Sequence, residues 1–166
     1  FNEVDEGMDI IVTKTGASGQ ALEEMTTIAK NLATEIPTDF NTAGSAVGEL
    51  NTQFGLTGDS LKSASSYLIQ FASINGSDVT SSAISAKKAI EAYGLQAMDL
   101  SGVLDTVTFT SQATGVGVQD LMDKVVSGAP QIKALGLSFD EGVALMGKFE
   151  KAGVDSSASL SSLSKA

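Results

Sequence analysis

Phe40-Asn41-Thr42-Ala43-Gly44-Ser45-Ala46-Val47-Gly48-Glu49-Leu50-Asn51-Thr52-Gln53-Phe54, followed by Gly55-Leu56-Thr57, holds the pattern on which the whole chain is built. Phe40, Ala43, Val47, Leu50 and Phe54 fall at steps of three and four, the spacing that lines one face of an α-helix. Gly55 then stops the helix, because glycine enters the left-handed conformation at little cost and the apolar residue after it folds back on the last turn. Thr57 is a small polar residue of the kind that caps a following helix.

Working outward, the same spacing recurs. Leu22, Met25, Ala29, Leu32 and Ile36 form a stripe that Pro37 ends, since the residue before a proline is pushed out of the helical region. Further stripes are Leu61, Ala64, Leu68 and Phe71; Val79, Ala83, Ala86, Ile90 and Tyr93; Leu100, Leu104 and Val107; Val118, Leu121, Met122 and Val125; Phe139, Val143, Met146 and Phe149; and Leu160 with Leu163. The breaks repeat the helix stop at Gly94-Leu95, Gly115-Val116, Gly136-Leu137-Ser138 and Gly153-Val154-Asp155. Ser138 with Glu141 makes a capping box. Gly142 and Gly147 lie inside a helical stripe, where each costs about 1 kcal/mol against alanine unless it permits close packing. The fold class is therefore all-α, an array of about seven or eight short-to-medium antiparallel helices joined by Gly-containing turns. The stops are separated by roughly 20 or 40 residues, which reads as a loose array of helical hairpins more than a strict solenoid. Residues 1–166 read as a single helical domain with a subdivision point near 55–58. The start at Phe1 rather than Met reads as a fragment of a longer chain, and Phe1 to Val12 is ambiguous, open to being the end of a helix arriving from upstream.

Composition removes most chemistries. The chain has no Cys and no His, which excludes disulfides and thiolate metal sites and takes away the usual general base and zinc ligand. Ten basic residues against 20 acidic ones give a net charge of −10, and Lys87-Lys88 is the sole adjacent basic pair. Phosphate backbones need clustered Lys and Arg, so nucleic acid is not an expected partner. No apolar run approaches the length that spans a bilayer.

Each stretch that resembles a reactive site has a plainer reading. Lys14-Thr15-Gly16-Ala17-Ser18-Gly19 looks like a phosphate loop but lacks the four-residue spacing and the Lys after its second glycine. Gly115 and Gly117 begin a dinucleotide-like pattern, yet Asp120 breaks it and no strand is predicted before it. Glu3, Asp5, Glu6 and Asp9 lack the ligand spacing of a calcium loop and read as a solvated helix face. Glu23, Glu24, Glu35, Asp39 and Glu49 would have to oppose one another across a cleft to work as a glycosidase pair, and they sit where polar helix faces are expected. Asn75-Gly76-Ser77 matches a glycosylation sequon but is ordinary turn chemistry at a helix boundary. No catalytic, cofactor-binding or metal residue is nominated, and no cofactor is expected.

The order of several blocks resembles the core region of bacteriophage or prophage tail tape measure proteins. These are the Thr15-Gly16-Ala17-Ser18-Gly19 loop, Ile36 to Phe40, Gly48 to Thr52, Thr57 to Leu61 and Phe71 to Ile74. Val103-Leu104-Asp105 through Gln112-Ala113-Thr114-Gly115-Val116, and Leu135 to Ser138 through Phe149 to Asp155, complete the series. The resemblance covers nearly the whole chain and implies a non-enzymatic structural protein of the virion tail. Such a protein sets tail length and takes part in tail assembly and genome delivery. It implies the tail tube, tail-tip or initiator proteins and assembly chaperones as partners, and self-association within the parent protein. It places the chain inside the tail tube, in the host cytoplasm during assembly, with membrane contact only during ejection. A ruler should be a long uninterrupted helix, roughly 250 Å for a chain of this length at about 1.5 Å per residue. The frequent helix stops instead predict a folded domain embedded in the ruler. The competing readings are a helical scaffold module with no phage role, a carboxylate hydrolase, and an amphipathic segment that enters membranes, against which stands the lack of Lys and Arg on its polar faces.

Overall fold

The computed structural model describes residues 3–165, without the side chains of Glu3, Val4 and Ser164. Among the described residues every regular element is helical. In chain order these are α1 (Glu3–Thr15), α2 (Gly19–Glu35), α3 (Phe40–Phe54), α4 (Gly58–Asn75), α5 (Val79–Ala92), α6 (Leu100–Thr114), α7 (Val118–Ser127), α8 (Ala129–Ala134), α9 (Phe139–Lys151) and α10 (Ser156–Lys165), with a 3₁₀ turn at Ala97–Asp99. The eight apolar stripes are α2 to α7, α9 and α10. Of the two further helices, α1 occupies the ambiguous opening stretch. The other, α8, follows a break at Gly128 and carries Pro130 in its first turn, where a missing N–H leaves no hydrogen bond unmade.

The helix stops have the predicted geometry. Gly55, Gly94, Gly115, Gly136 and Gly153 all have positive φ, as does Gly76 after α4. At three of them the apolar residue that follows turns back: the amides of Leu95, Leu137 and Val154 donate to the carbonyls of Ile90, Ile132 and Phe149 at 2.8, 3.2 and 2.9 Å. Ile36 is extended at φ −129°, as a residue before proline must be. Ser138 and Glu141 form the capping box. Thr57 departs from expectation, for its side chain makes no cap bond and Gly58 instead begins α4 with a left-handed turn.

The chain divides into two compact units, Phe1–Ile84 and Ser85–Ala166. The division falls inside α5 and not at the turn near 55–58, where α3 and α4 pack on each other and hold the two sides together. In the first unit, tight turns reverse the chain between consecutive helices, while α1 and α3, one helix apart, run in the same direction. Asn41 near the start of α3 donates to Glu6 at 3.0 Å, and Lys14 near the end of α1 reaches Glu49 at 2.9 Å. The two helices approach closely because both are glycine there: a Cβ on Gly44 would stand 3.0 Å from the Gly7 carbonyl oxygen. Ile11, Leu32, Leu50, Leu61 and Leu68 fill the core.

In the second unit α6 and α9 are likewise parallel, with Thr106 donating to Asp140 at 2.9 Å. Leu104, Leu121, Met122, Ile132 and Met146 are buried between the helices. The two glycines inside α9 are explained by this packing. A Cβ on Gly142 would lie 2.9 Å from Ile132 Cγ2, and one on Gly147 would lie 2.7 Å from Thr110 Cγ2. Gly147→Ala is therefore expected to destabilise the second unit by about 1 kcal/mol, because overpacking at about 1–3 kcal/mol outweighs the gain in helix propensity. Denaturant titration of the variant checks the sign: a stabilised protein would show that the methyl group is accommodated.

Candidate functional site

A dense polar cluster lies in the first unit, where α1, α3 and the start of α5 meet. Glu49 is on the buried face of α3, 7% exposed, because the close approach of α1 and α3 encloses it. Its two oxygens accept from Lys14 Nζ at 2.9 Å and from Gln53 Nε2 at 2.9 Å. Lys14 Nζ also donates to Thr80 Oγ1 at 3.2 Å, and Thr52 Oγ1 donates to the Lys14 carbonyl at 2.7 Å. A lysine held by a carboxylate and a hydroxyl, all satisfied within the protein, is arranged to fix the register of two parallel helices.

The sites weighed from sequence resolve into structural roles. Lys14 to Gly19 spans the end of α1, the turn at Gly16 to Ser18 and the first residue of α2. Thr15 Oγ1 donates to Ile11 O and accepts from the Ala17 amide, and the Lys14 ammonium is engaged elsewhere. Gly115 closes α6 and Gly117 opens α7. Of the opening acidic cluster, Asp5, Glu6 and Asp9 lie exposed along α1, and the Glu3 side chain is outside the described residues. Glu35 pairs with Lys62 at 2.9 Å. Asp39 caps α3 by accepting from the Thr42 amide, and Glu24 accepts from Gln20 on its own helix. Glu23 is exposed on α2. Among the described residues no group of three or more acidic side chains is placed to hold a metal ion. Asn75 donates to Phe71 O as α4 ends at Gly76, which is turn chemistry.

In the second unit a shallow groove of about 380 Å³ runs between the starts of α6 and α9, lined by Leu95, Met98, Gly102, Phe139 and others. It contains two carboxylates, Asp99 and Asp140. Each is already in use, Asp99 accepting from the Gln96 amide at 2.8 Å and Asp140 from Thr106. Tyr93 stands edge-on to Phe139, with ring centroids 5.4 Å apart, and its hydroxyl donates to the Val125 carbonyl at 2.7 Å. Burial pushes its phenol up to about 12. Between the ordinary value of 10 and about 12 the unfolded chain has lost this proton while the folded one retains it. The stabilising contribution of this group is therefore fully present below about pH 10 and is lost as pH rises through that window. Tyr93→Phe should make the loss of stability between about pH 10 and 12 shallower, which denaturation at a series of alkaline pH values measures directly.

Sequence reasoning missed the Lys14–Glu49 pair, since no local pattern links two residues 35 apart. It treated Glu49 as a polar-face residue.

Residues 28–166 match the family described as "Phage-related minor tail protein". The chain is also 26% identical over 157 residues to the tape measure protein of Pneumococcus phage Dp-1, an alignment that takes in 94% of this chain and 14% of that protein.

Proposed function

Because the chain belongs to the phage-related minor tail protein family, we propose that it is a folded, non-catalytic helical module of a tape measure protein. The parent protein sets tail length and takes part in tail assembly and genome delivery. The similarity to the Dp-1 tape measure protein supports this reading, since it runs through 94% of the chain yet occupies only a short part of the relative. What favours a module over a stretch of rod is the helix stop that ends each segment. The longest helix, α4, has 18 residues, and its apolar face is buried by neighbours. The module's partners are the tail tube, tail-tip or initiator proteins and assembly chaperones, with further copies of the parent protein alongside. It resides within the tail tube after assembly in the host cytoplasm. Among the described residues no helix is long and apolar enough to cross a membrane.

The test is an in-frame deletion of these codons in the parent phage, with tail lengths read by electron microscopy. The expected result is particles that lose infectivity while their tails shorten by far less than about 250 Å, the span of the segment as one helix. Shortening by that full length would mean the helices are strung out in the tube as ruler. Fully infectious particles with unchanged tails would remove the segment from any tail function.

A further inference from the structure

Two series of helix stops run through the chain. Gly16, Gly55 and Gly94 follow one another at 39 residues, and so do Gly76 and Gly115, all with φ between 63° and 79°. Gly58 repeats Gly19 at the same interval, each opening its helix at positive φ. Asp39 and Asp78 also stand 39 apart, and each caps the next helix, accepting from the Thr42 and Ser81 amides. Asp155 repeats the cap at α10 by accepting from the amides of Ser157 and Ala158.

Burial repeats with the same period. Phe40, Val79 and Val118 are 6, 6 and 9% exposed, and Val47, Ala86 and Val125 are each fully buried. Ala43, Ser82 and Leu121 recur in the same way, as do Thr26, Ser65 and Leu104. Thr26 and Ser65 keep buried hydroxyls without a hydrogen-bond partner at a place where the next copy has leucine. A hydroxyl buried without a partner is costly, so its recurrence marks one structural position filled twice by a small side chain.

Four of the hydrogen bonds between helices span four or five residues less than the period, about one helical turn. Glu6–Asn41 and Lys14–Glu49 span 35 residues, Ser85–Gln119 and Thr106–Asp140 span 34. Asn41 and Gln119 are the same position two periods apart, and each donates its side-chain amide back to the helix one period earlier. The single large departure is the third copy, where Gly94 to Gly136 spans 42 residues. The extra length falls where α7 gives way to α8 at Gly128-Ala129-Pro130.

We infer that the chain is a tandem array of one 39-residue helix–turn–helix unit, so that it can gain or lose a whole unit with its helix contacts preserved. The surface that each unit offers is complementary to another copy of the same unit, through parallel helices set one turn out of step. In such arrays stability is a sum over units and nearest-neighbour contacts.

The inference makes an unusual demand on deletions: a cut of 39 residues should be tolerated even when both ends lie in the middle of helices. Removing residues 67–105 joins Ser66 of α4 to Thr106 of α6 and keeps Leu61, Ser65, Val107 and Thr110 on one face of the hybrid helix. Removing residues 67–103 joins Ser66 to Leu104 and turns the apolar face by about 200°, at about 100° per residue. Far-UV circular dichroism, thermal unfolding and size-exclusion chromatography of the two variants decide the matter. The first should keep the parent's helicity per residue, a cooperative transition and the same oligomeric state. The second should lose the transition or aggregate. A mid-helix 39-residue deletion that unfolds as the 37-residue one does would overturn the inference, and so would equal tolerance of both.

Discussion

Lys14→Ala is expected to lower the stability of the first unit by about 3 kcal/mol, the low end of the cost of removing one partner of a buried ion pair. Its Glu49 partner has a side chain only 9% exposed, while that of Lys14 is 22% exposed, so water screens one end of the pair and places the loss at the low end. Without the ammonium, Glu49 keeps one donor, the Gln53 amide, and its second oxygen is desolvated without compensation. The loss of the methylenes that span the gap between α1 and α3 adds to this, since a Cβ on Gly48 would already touch Lys14 at 3.1 Å. A double variant, Lys14→Met with Glu49→Leu, should recover most of the loss, because apolar replacements of similar volume do as well as a buried pair. Guanidinium titration measures all three proteins. A loss below about 1 kcal/mol for Lys14→Ala would place the pair with surface bridges and leave the register of α1 and α3 to packing alone.

The helices and their ends were legible in the sequence because each depends on a few adjacent residues. A glycine after the last apolar position, an apolar residue to fold back and a serine with a glutamate three positions on are local signals, and Gly136-Leu137-Ser138 through Glu141 shows all of them at work. Less legible was what happens one helix away. That α1 and α3 approach so closely depends on glycines at 7 and 44 meeting across the interface, and neither glycine's own surroundings in sequence show that it has a partner. The same holds for Gly147 against Thr110. The period was hidden for a related reason. Two interleaved series of stops, each regular, give alternating gaps when read as one, and Pro37 stands in the place where glycine would have completed the pattern. The candidate site was legible only as an absence of reactive constellations. The buried polar cluster around Glu49 needed the tertiary contact with Lys14 to be visible at all.

Both units have glycines where helices approach closely, but they fill one shared position differently, and Leu121→Ala tests the difference. At the position shared by Ala43, Ser82 and Leu121, the first two copies have small, buried side chains, and beside Ala43 the helices approach closely at Gly7 and Gly44. In the second unit the space is filled by side chains, with Leu121 fully buried and its Cδ2 3.7 Å from where a Cβ on Gly147 would stand. Truncating Leu121 removes its transfer energy and leaves a cavity that α7 and α9 cannot close, because Gly147 already lies against Thr110 and has nothing to extend into the gap. The expected loss is about 2–5 kcal/mol, read by denaturant titration. Copying alanine from the equivalent place in the first unit should therefore be harmful, although the period makes the two positions equivalent. The reverse exchange, Ala43→Leu, should fail for the opposite reason: it forces a large side chain between helices held together by Gly7 and Gly44, an overpacking cost of about 1–3 kcal/mol. If Leu121→Ala cost less than about 1 kcal/mol, the helices of the second unit would have to close up as those of the first do, and the filling of this space would not be what holds them apart.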